Sequence, residues 1–419
     1  MSEPVAADAE GFQRFHRSVL PERITSGNGH LAWTDLQTLG TLGVRTSAGS
    51  FTYLPTGEGE SGTVEIIEGD ETADTVVELD LDSWHGLISD LDTAPGLFYG
   101  GRATVPEGNP MRFVRWEPGL RALFHGRPVF DPDTADLREV DGSSLDPMKS
   151  FQYADLENDP SVVEAAGHFL TTAGYLVVRN VFSASEVADF LAGCEQAEAD
   201  ATPGDEQSWW GRNTQGEDIL TRVLNAGVQS QLAALTDDPR IKLISEVSPE
   251  PLHPRESASR DSVTVLWKRK NIAEGLSDLP WHRDCGMGGH AINCPLTVMS
   301  ICLTSGTPGA GELRALPGSQ VGSYPFIDGR DTEAPEGVGL DVSAGDLSLH
   351  YSDVMHASMP PTDDVTPERI SLLIGFVPEG YGNHASEGVY NDALLANEDG
   401  QVEHLADKLG YDKFSADDS

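Results

Sequence analysis

Residues 279–286 read Leu-Pro-Trp-His-Arg-Asp-Cys-Gly and place an imidazole and a carboxylate two positions apart, at His282 and Asp284. In a β-strand, residues two apart point to the same face, so both side chains can reach one metal ion. Two His and one carboxylate on one face, with coordination positions left open, are the ligand set of a non-heme Fe(II) oxygenase. This stretch therefore predicts a metal-binding β fold and requires a third ligand from elsewhere in the chain.

The third ligand is expected among the histidines that follow this pair, namely His290, His350, His356, His384 and His404. His356 fits best, because it comes just after a predicted strand that ends at His350. His350 itself is a rival ligand, but its place within that strand favours a role in the core or in a pocket wall. His404 falls in a predicted helical tail, and His290 is expected to line an entrance or to end a loop.

Arg369 and Ser371 open another predicted strand, thirteen residues after His356. Their spacing again puts both side chains on one face of the strand. Arg can hold a carboxylate through two hydrogen bonds, and a Ser hydroxyl can add a third to the same group. The pair therefore has the chemistry that the distal carboxylate of 2-oxoglutarate would require.

Together these residues resemble the phytanoyl-CoA dioxygenase family over roughly residues 151–378. The resemblance rests on several motifs in the expected order: His282-x-Asp284, Gly311-Glu312-Leu313 with Pro317-Gly318-Ser319, Gly345-Asp346, His356, and Arg369-x-Ser371. One departure is Gln320, where the family usually has His after Pro-Gly-Ser. That residue is not a metal ligand in the family pattern, so the predicted ligand set is unaffected.

The resemblance implies a jelly roll of the double-stranded β-helix type, flanked by helices, with Fe(II) as the metal and 2-oxoglutarate as the co-substrate. His282, Asp284 and His356 would hold the iron and form the catalytic centre. The reaction would hydroxylate or otherwise oxidise a small organic or lipid-like molecule and release succinate and CO2. Because Asp284 stands where a halogenase of this family usually shows Gly or Ala, oxidation is favoured over halogenation.

The co-substrate site implied by the resemblance consists of Arg369 with Ser371. A basic residue on the strand before the His-x-Asp motif often assists in such sites. Here that residue would be Lys268 or Lys270. Cys285, next to a predicted ligand, is expected to pack as a small residue, because soft sulfur is absent from this type of iron site.

Composition limits the range of functions. A chain of 419 residues with a net charge of −41 suggests two or more domains and disfavours nucleic acid and anionic membranes as partners. Its four cysteines are too few for a disulfide scaffold in a chain of this size. There is no apolar run long enough to span a bilayer and no secretory signal, which predicts a cytoplasmic protein.

The fold class predicted is α+β with two domains, residues 1–147 and 148–419. In the first, strands are predicted at 63–67 and 75–79, a helix capped by Asp82, and a second amphipathic segment from Trp116 to Phe124. This region weakly resembles the sterol carrier protein-like fold, whose members hold apolar ligands. A packing or dimerisation domain without a ligand is an equally weighted alternative. Residues 131–148 are predicted to be a linker.

The second domain is predicted to begin with a helix, a strand at 174–178 and a helix opened by the capping box of Ser183 and Glu186. Short strands then follow at 263–267, 296–303, 311–315, 346–350 and 370–377, a pattern typical of a jelly roll. Trp209 and Trp210 are predicted to lie in a loop before these strands. That loop is expected either to cover the substrate or to pack as a local anchor.

Two functions from other classes compete with the oxygenase hypothesis. One is a lipid-binding protein in which the barrel is only a scaffold, but a decayed barrel has no reason to keep all of the predicted site residues. The other is a cupin-type metal hydrolase or isomerase that uses the same ligands without a keto acid. The motif Arg369-x-Ser371 disfavours this second alternative.

Overall fold

The computed structural model describes residues 4–255, 261–274, 279–284, 296–327, 334–362, 365–379 and 405–410. These residues form a mixed α/β structure with three sheets. Among them, no helix combines the length and the hydrophobicity that a bilayer span requires.

The helices are concentrated in the first 245 residues. In chain order they are α1 (Ala9–Arg14), α2 (Leu20–Arg23), α3 (Gly29–Leu36), α4 (Leu81–Ile88), α5 (Ala94–Tyr99), α6 (Pro110–His125), α7 (Tyr153–Asn158), α8 (Pro160–Ala173), α9 (Ala184–Asp200), α10 (Pro239–Ser245) and α11 (Leu405–Lys408). Short π-helical segments at Phe15–Val19 and Ile24–Asn28 join the first three helices.

The strands occur throughout the chain. They are β1 (Leu42–Thr46), β2 (Gly49–Thr56), β3 (Thr63–Glu68), β4 (Thr75–Leu79), β5 (Ala103–Glu107), β6 (Phe151–Gln152), β7 (Tyr175–Arg179), β8 (Ser208–Asn213), β9 (Asp218–Val223), β10 (Leu252–Pro254), β11 (Val263–Lys268), β12 (Ile272–Glu274), β13 (Leu279–His282), β14 (Thr297–Cys302), β15 (Leu313–Ala315), β16 (Val338–Gly339), β17 (Leu347–Tyr351), β18 (His356–Ser358) and β19 (Arg369–Pro378).

The N-terminal region contains a five-stranded sheet in the order β3-β2-β1-β4-β5, with β1 and β4 parallel and the other neighbours antiparallel. Both predicted strands are present as β3 and β4. The predicted apolar stripe of α6 is buried in the core of this region, at Trp116, Leu120, Leu123 and Phe124. The predicted cap of α4 was wrong by two residues, because the side chain that accepts from the amide of Ser83 belongs to Asp80.

The C-terminal region contains a ten-stranded sheet in the order β12-β8-β9-β11-β19-β14-β17-β7-β6, with β10 paired to β19. A smaller sheet follows the order β13-β18-β15-β16. The five short strands predicted from the sequence correspond to β11, β14, β15, β17 and β19. The long strand β19 pairs with both β11 and β14, so it fixes the register at the centre of the large sheet.

Two local predictions in this region have opposite outcomes. The capping box is present at the start of α9, since the side chains of Ser183 and Glu186 each accept a hydrogen bond from the backbone N–H of the other residue. The loop predicted around Trp209 and Trp210 was wrong, because both residues belong to β8. Trp209 is buried and packs beneath the guanidinium of Arg222, which explains how so large a side chain is accommodated within a strand.

The N-terminal and C-terminal regions share buried apolar surface. The hydrophobic cluster built on α6 and the five-stranded sheet also contains Trp209, Leu224 and Leu405. Partly buried Leu279, at the start of β13, and Phe326 pack against the same cluster. The strand that carries His282 therefore begins in contact with the N-terminal region.

Candidate active site

His282 and His356 face each other across two antiparallel strands of the small sheet. They are direct partners in the register of β13 and β18, and their ring centroids lie 4.2 Å apart. His356 is 5% exposed, and its strand is buried throughout. The pairing brings together two residues separated by more than seventy positions in the sequence.

The backbone fixes the orientation of both imidazole rings. His282 Nδ1 lies 2.7 Å from the carbonyl oxygen of Pro280, and His356 Nδ1 lies 2.9 Å from that of Val354. A carbonyl oxygen only accepts hydrogen bonds, so each Nδ1 carries the proton and donates it. In the neutral ring each Nε2 then has a lone pair, as a metal-ligating histidine needs.

Asp284 lies where the two lone pairs converge. Its Oδ1 is 3.5 Å from His282 Nε2 and 3.6 Å from His356 Nε2. Burial alone would raise the pKa of this carboxyl, but the charge of His356 and the hydrogen bonds of the surrounding histidines hold it well below its ordinary value. Asp284 follows β13 in a turn, so the prediction that it lies on the strand was wrong, although both side chains reach the same point.

The donor set fits a metal ion. One ligand atom from each of His282, Asp284 and His356 lies within 4.8 Å of the others, and the three could hold one ion. Two neutral imidazole nitrogens and one carboxylate oxygen are the donors that non-heme Fe(II) prefers. Burial lowers the pKa of His282, which keeps this ring in the neutral form that binds metal.

A third histidine approaches the same carboxylate from the large sheet. His350 Nε2 lies 3.5 Å from Asp284 Oδ2, and its ring centroid lies 4.4 Å from that of His356. Burial lowers the pKa of His350 to about 4, so this ring is neutral at physiological pH. The sequence indicated only a core or pocket position for His350. The structure adds a contact with the carboxylate oxygen that faces away from His282 and His356.

Two buried cations lie beside β18, the strand that carries His356. Lys268 and Arg369 are register partners on β11 and β19, 1% and 6% exposed. Lys268 Nζ donates to the carbonyl oxygen of Ser358 (2.7 Å), and Arg369 Nη2 donates to its hydroxyl (2.6 Å). Since Ser358 is two residues after His356 on β18, it shares a face with that histidine.

The other predicted co-substrate residues have different positions. Ser371 is buried and lies two residues after Arg369 on β19, so the two share a face of the strand. Lys270 is only partly buried, and its Nζ donates to the carbonyl oxygen of Thr366 (2.7 Å). Of the two lysines considered, it is therefore Lys268 that lies beside the residues of the candidate site.

Gln320, the departure from the family pattern, has a structural role. Its Nε2 donates to the carbonyl oxygens of Thr171 (2.9 Å) and Thr172 (3.3 Å), near the end of α8. The neighbouring Ser319 accepts a hydrogen bond from the amide of Met355 (2.8 Å), one residue before His356. The turn at Ser319 and Gln320 therefore connects the start of β18, which carries His356, to the end of α8. His290, His384, His404 and Cys285, which the sequence analysis also considered, lie outside the described residues.

The sequence model of the phytanoyl-CoA dioxygenase family matches residues 170–364. Over these residues the chain is similar to the phytanoyl-CoA dioxygenase family. They include His282, Asp284 and His356, while Arg369 and Ser371 follow shortly after the matched region. The family consists of Fe(II)/2-oxoglutarate-dependent oxygenases. The non-catalytic and keto acid-independent alternatives are not favoured.

Several solved structures are similar to part of this chain. EvdMO1 is 22% identical with a TM-score of 0.42, over 52% of this chain and 50% of that one, so this chain spans about half the length of EvdMO1. AviO1 from Streptomyces viridochromogenes Tue57 is 22% identical with a TM-score of 0.41, over 52% of this chain and 96% of that one. The non-heme alpha ketoglutarate dependent epimerase SnoN from nogalamycin biosynthesis is 20% identical with a TM-score of 0.40, over 52% and 84%. No curated protein matches the chain significantly.

Proposed function

We propose that this protein oxidises a small organic substrate at an Fe(II) centre held by His282, Asp284 and His356, with release of succinate and CO2. The observation that carries the proposal is the convergence of two Nε2 lone pairs on one oxygen of Asp284. Both rings are already fixed in the metal-binding tautomer by the carbonyls of Pro280 and Val354. Such preorganisation lowers the cost of binding the ion.

Arg369 would hold the distal carboxylate of 2-oxoglutarate, and Lys268 would add a second positive charge. In a chain with a net charge of −41, a buried Arg and a buried Lys on adjacent strands are a local exception. Two positive charges side by side attract a dianionic co-substrate, and a guanidinium can hold a carboxylate through two hydrogen bonds. Hydrogen bonds to Ser358 place Lys268 and Arg369 next to β18, the strand that carries His356. Ser371 lies on the same face of β19 as Arg369 and would add a hydroxyl group.

The proposed role of each of these residues follows from its chemistry. Held by His282, Asp284 and His356, Fe(II) would supply the redox chemistry that couples decarboxylation of 2-oxoglutarate by O2 to oxidation of a substrate C–H bond. Asp284 occupies the position that a halide would need, which favours hydroxylation or a related oxidation. When both rings are neutral, the protons on Nδ1 of His282 and His356 leave the two Nε2 atoms to face the metal, and the burial of His356 restricts access of water to it.

The large and small sheets together would form the double-stranded β-helix of a domain covering residues 148–419. Residues 1–147 would form the separate α/β domain, with the linker at its end. The five-stranded sheet, whose strands all lie within residues 42–107, supports this division. A sterol carrier-like capacity for apolar ligands in the N-terminal domain remains part of the same proposal.

The proposal is tested with full-length protein loaded anaerobically with Fe(II) and 2-oxoglutarate, followed by admission of O2. Succinate should appear in amounts that depend on both additions. Asp284→Ala and His356→Ala should lose bound iron and succinate formation together. His253→Ala, at an exposed histidine on β10, is the matched control and should retain both. Failure of the iron-loaded protein to bind 2-oxoglutarate would overturn the proposal.

A further inference from the structure

The two faces of the large sheet differ in their exposure around β14 and β19. One face consists of apolar side chains that are at most 2% exposed, namely Met299, Ile301, Leu372, Ile374 and Phe376. The residues that alternate with these are only half-buried, namely Val298, Ser300, Leu373 and Gly375. Because successive residues of a strand point to opposite faces, the half-buried set shares one face, which we call the open face.

The open face is the one that looks toward the candidate iron site. His350 is the register partner of Val298, so the two side chains point to the same face, and His350 Nε2 lies 3.5 Å from Asp284 Oδ2. Arg369 points to the same side of the large sheet, since it donates to the hydroxyl of Ser358 on β18 (2.6 Å). The surface that remains accessible therefore faces the proposed reaction centre.

Gly375 leaves one position of the open face without a side chain. It lies inside β19, between Ile374 and Phe376, and is the register partner of Val298. Among the described residues, a Cβ placed on Gly375 would have only atoms of Arg255 within 4 Å, its Cβ at 3.7 Å and its Cδ at 3.9 Å. A glycine inside a strand often marks a place where a ligand or another segment approaches closely. The side chain of Arg255 thus lies next to the space above Gly375.

Arg255 directly follows β10 and continues the pairing of that strand with β19. Its amide donates to the carbonyl oxygen of Gly375 (2.8 Å), so the two residues are neighbours across the strands. Its side chain is exposed, and within the part of the chain that the structure describes it has no hydrogen-bond or ion-pair partner. With 68 acidic and only 27 basic residues in the chain, an arginine that no carboxylate engages is an exception. Its guanidinium is therefore available to an anionic ligand.

The position of Arg255 suits a residue that holds one end of a substrate. Arg255, Gly375, Val298 and His350 lie side by side on consecutive segments of the large sheet. Neighbouring strands are about 4.8 Å apart, so roughly 14 Å separate the backbone of Arg255 from that of His350. The side chains that extend from both ends reduce this gap to the length of a small molecule. A group bound to Arg255 would leave the rest of that molecule over Val298 and beside His350, which contacts Asp284.

We infer that the open face is the floor of the substrate site and that Arg255 binds a carboxylate of the substrate, which is a small organic acid. One guanidinium matches a single negative charge and can hold a carboxylate through two hydrogen bonds. A phosphate, with up to two charges, would remain partly unbalanced in a protein of net charge −41. The inference rests on the proposed function, because it takes His282, Asp284 and His356 as the iron site and leaves Arg369 to 2-oxoglutarate.

The test compares two probes of the same shape, para-fluorobenzoate and its neutral counterpart para-fluorobenzamide. Full-length protein is loaded with Fe(II) and saturated with 2-oxoglutarate under anaerobic conditions, so that the site assigned to Arg369 is filled. Each probe is then titrated and its binding followed by fluorine NMR. The acid should bind at least about tenfold more tightly than the amide, since a hydrogen bond to a charged group is the stronger one. Equal binding, tighter binding of the amide, or no binding of the acid would overturn the inference.

Substitutions then locate the bound acid. Arg255→Gln should weaken its binding about tenfold or more and remove the preference over the amide, whereas Arg255→Lys should keep part of that preference. Gly375→Val adds a side chain to the open face and should also weaken binding of the acid about tenfold. Arg17→Gln, at an exposed ion pair with Glu68, is the matched control and should bind the acid normally. An unchanged preference in Arg255→Gln, whose exposed side chain is not needed for folding, would overturn the inference.

Iron and 2-oxoglutarate binding are measured on the same samples and should be intact in Arg255→Gln. Loss of 2-oxoglutarate binding in this variant would assign Arg255 to the co-substrate and overturn the inference. If the unmodified protein binds iron and 2-oxoglutarate but does not prefer the acid, the substrate assignment alone is wrong. If the iron-loaded protein does not bind 2-oxoglutarate, the proposed function is wrong, whatever the probes do. The two failures are therefore distinguishable.

Discussion

Lys268 and Arg369 are paired across adjacent strands, and both donate hydrogen bonds to Ser358, one to its carbonyl oxygen and one to its hydroxyl. Two like charges this close would repel each other strongly in a buried site. The shared acceptor keeps both positive charges beside β18, the strand that carries His356. We propose that 2-oxoglutarate is the anion that binds next to them.

Arg369→Ala is expected to weaken 2-oxoglutarate binding roughly 10- to 150-fold, the cost of losing hydrogen bonds to a charged group. Arg369→Lys should recover only part of the loss, because an ammonium group cannot make the planar two-bond contact of a guanidinium. Calorimetric titration of the anaerobic, iron-loaded protein measures both. Arg17→Ala, at an exposed ion pair with Glu68, should leave the affinity unchanged. An unaltered affinity in Arg369→Ala would contradict the assigned role.

His350→Leu is expected to lower iron affinity about 10- to 100-fold while all three proposed ligands are still present, as is usual when a residue that orients a ligand is removed. The reason is its contact with the second carboxylate oxygen of Asp284. Competition with a metal-sensitive chelator gives the affinity. A parallel His253→Leu variant controls for loss of an exposed imidazole. Wild-type affinity in His350→Leu would show that Asp284 is held in place without it.

Gln320→Ala should lower the free energy of unfolding by about 1–3 kcal/mol, because it removes the donor that serves the carbonyls of Thr171 and Thr172. Iron binding per folded molecule should be unaffected, since Gln320 contacts none of the proposed ligands in the described structure. Chemical denaturation together with metal analysis separates the two quantities. Loss of iron at unchanged stability would instead indicate that this residue acts on the metal site.

Acid should destabilise the N-terminal region through His16. This ring is 1% exposed and bonded to Tyr53 and to the carbonyl oxygen of Phe12, and burial lowers its pKa from 6.5 to about 4. Between these two pH values the unfolded chain binds the proton and the folded chain does not, so stability falls as the pH falls. The contribution is about 2 kcal/mol between pH 8 and pH 5.

Denaturant titrations at both pH values measure this loss. His16→Gln should remove that part of the pH dependence, whereas His168→Gln on α8 serves as the matched control. An identical pH dependence in the wild type and His16→Gln would show that His16 is protonated equally in the folded and unfolded states.

Local spacing was enough to select three residues that the structure brings together, because His282 and Asp284 are close in sequence and His356 follows a recognisable strand. Spacing did not predict that Asp284 would lie in a turn, since the end of a four-residue strand leaves little trace in the sequence. The cap of α4 was displaced for a similar reason: Asp80 and Asp82 are equally good caps, and only the folded helix shows which of them accepts from Ser83.

Local sequence patterns could not predict features that depend on contacts between distant parts of the chain. His350 reaches Asp284 only because β17 and β18 belong to different sheets that meet at the site. Glu117 and Arg121 of α6 have the i,i+4 spacing of a solvent-exposed ion pair, but both side chains are largely buried in the structure. Trp209 was misplaced because its neighbour across the sheet, Arg222, covers the ring in a way that the sequence does not reveal.

The pairing of His282 with His356 has a mechanical consequence. These residues sit on strands of only four and three residues, and the register between the two strands is irregular. An ion bound to both would act as a cross-link between two segments that few backbone hydrogen bonds connect. Removing it should raise hydrogen exchange first in β13 and β18 and lower the melting temperature of the whole chain, because a ligand that binds only the folded state adds its binding energy to stability. The metal would thus stabilise the small sheet by cross-linking β13 and β18, in addition to its part in the reaction.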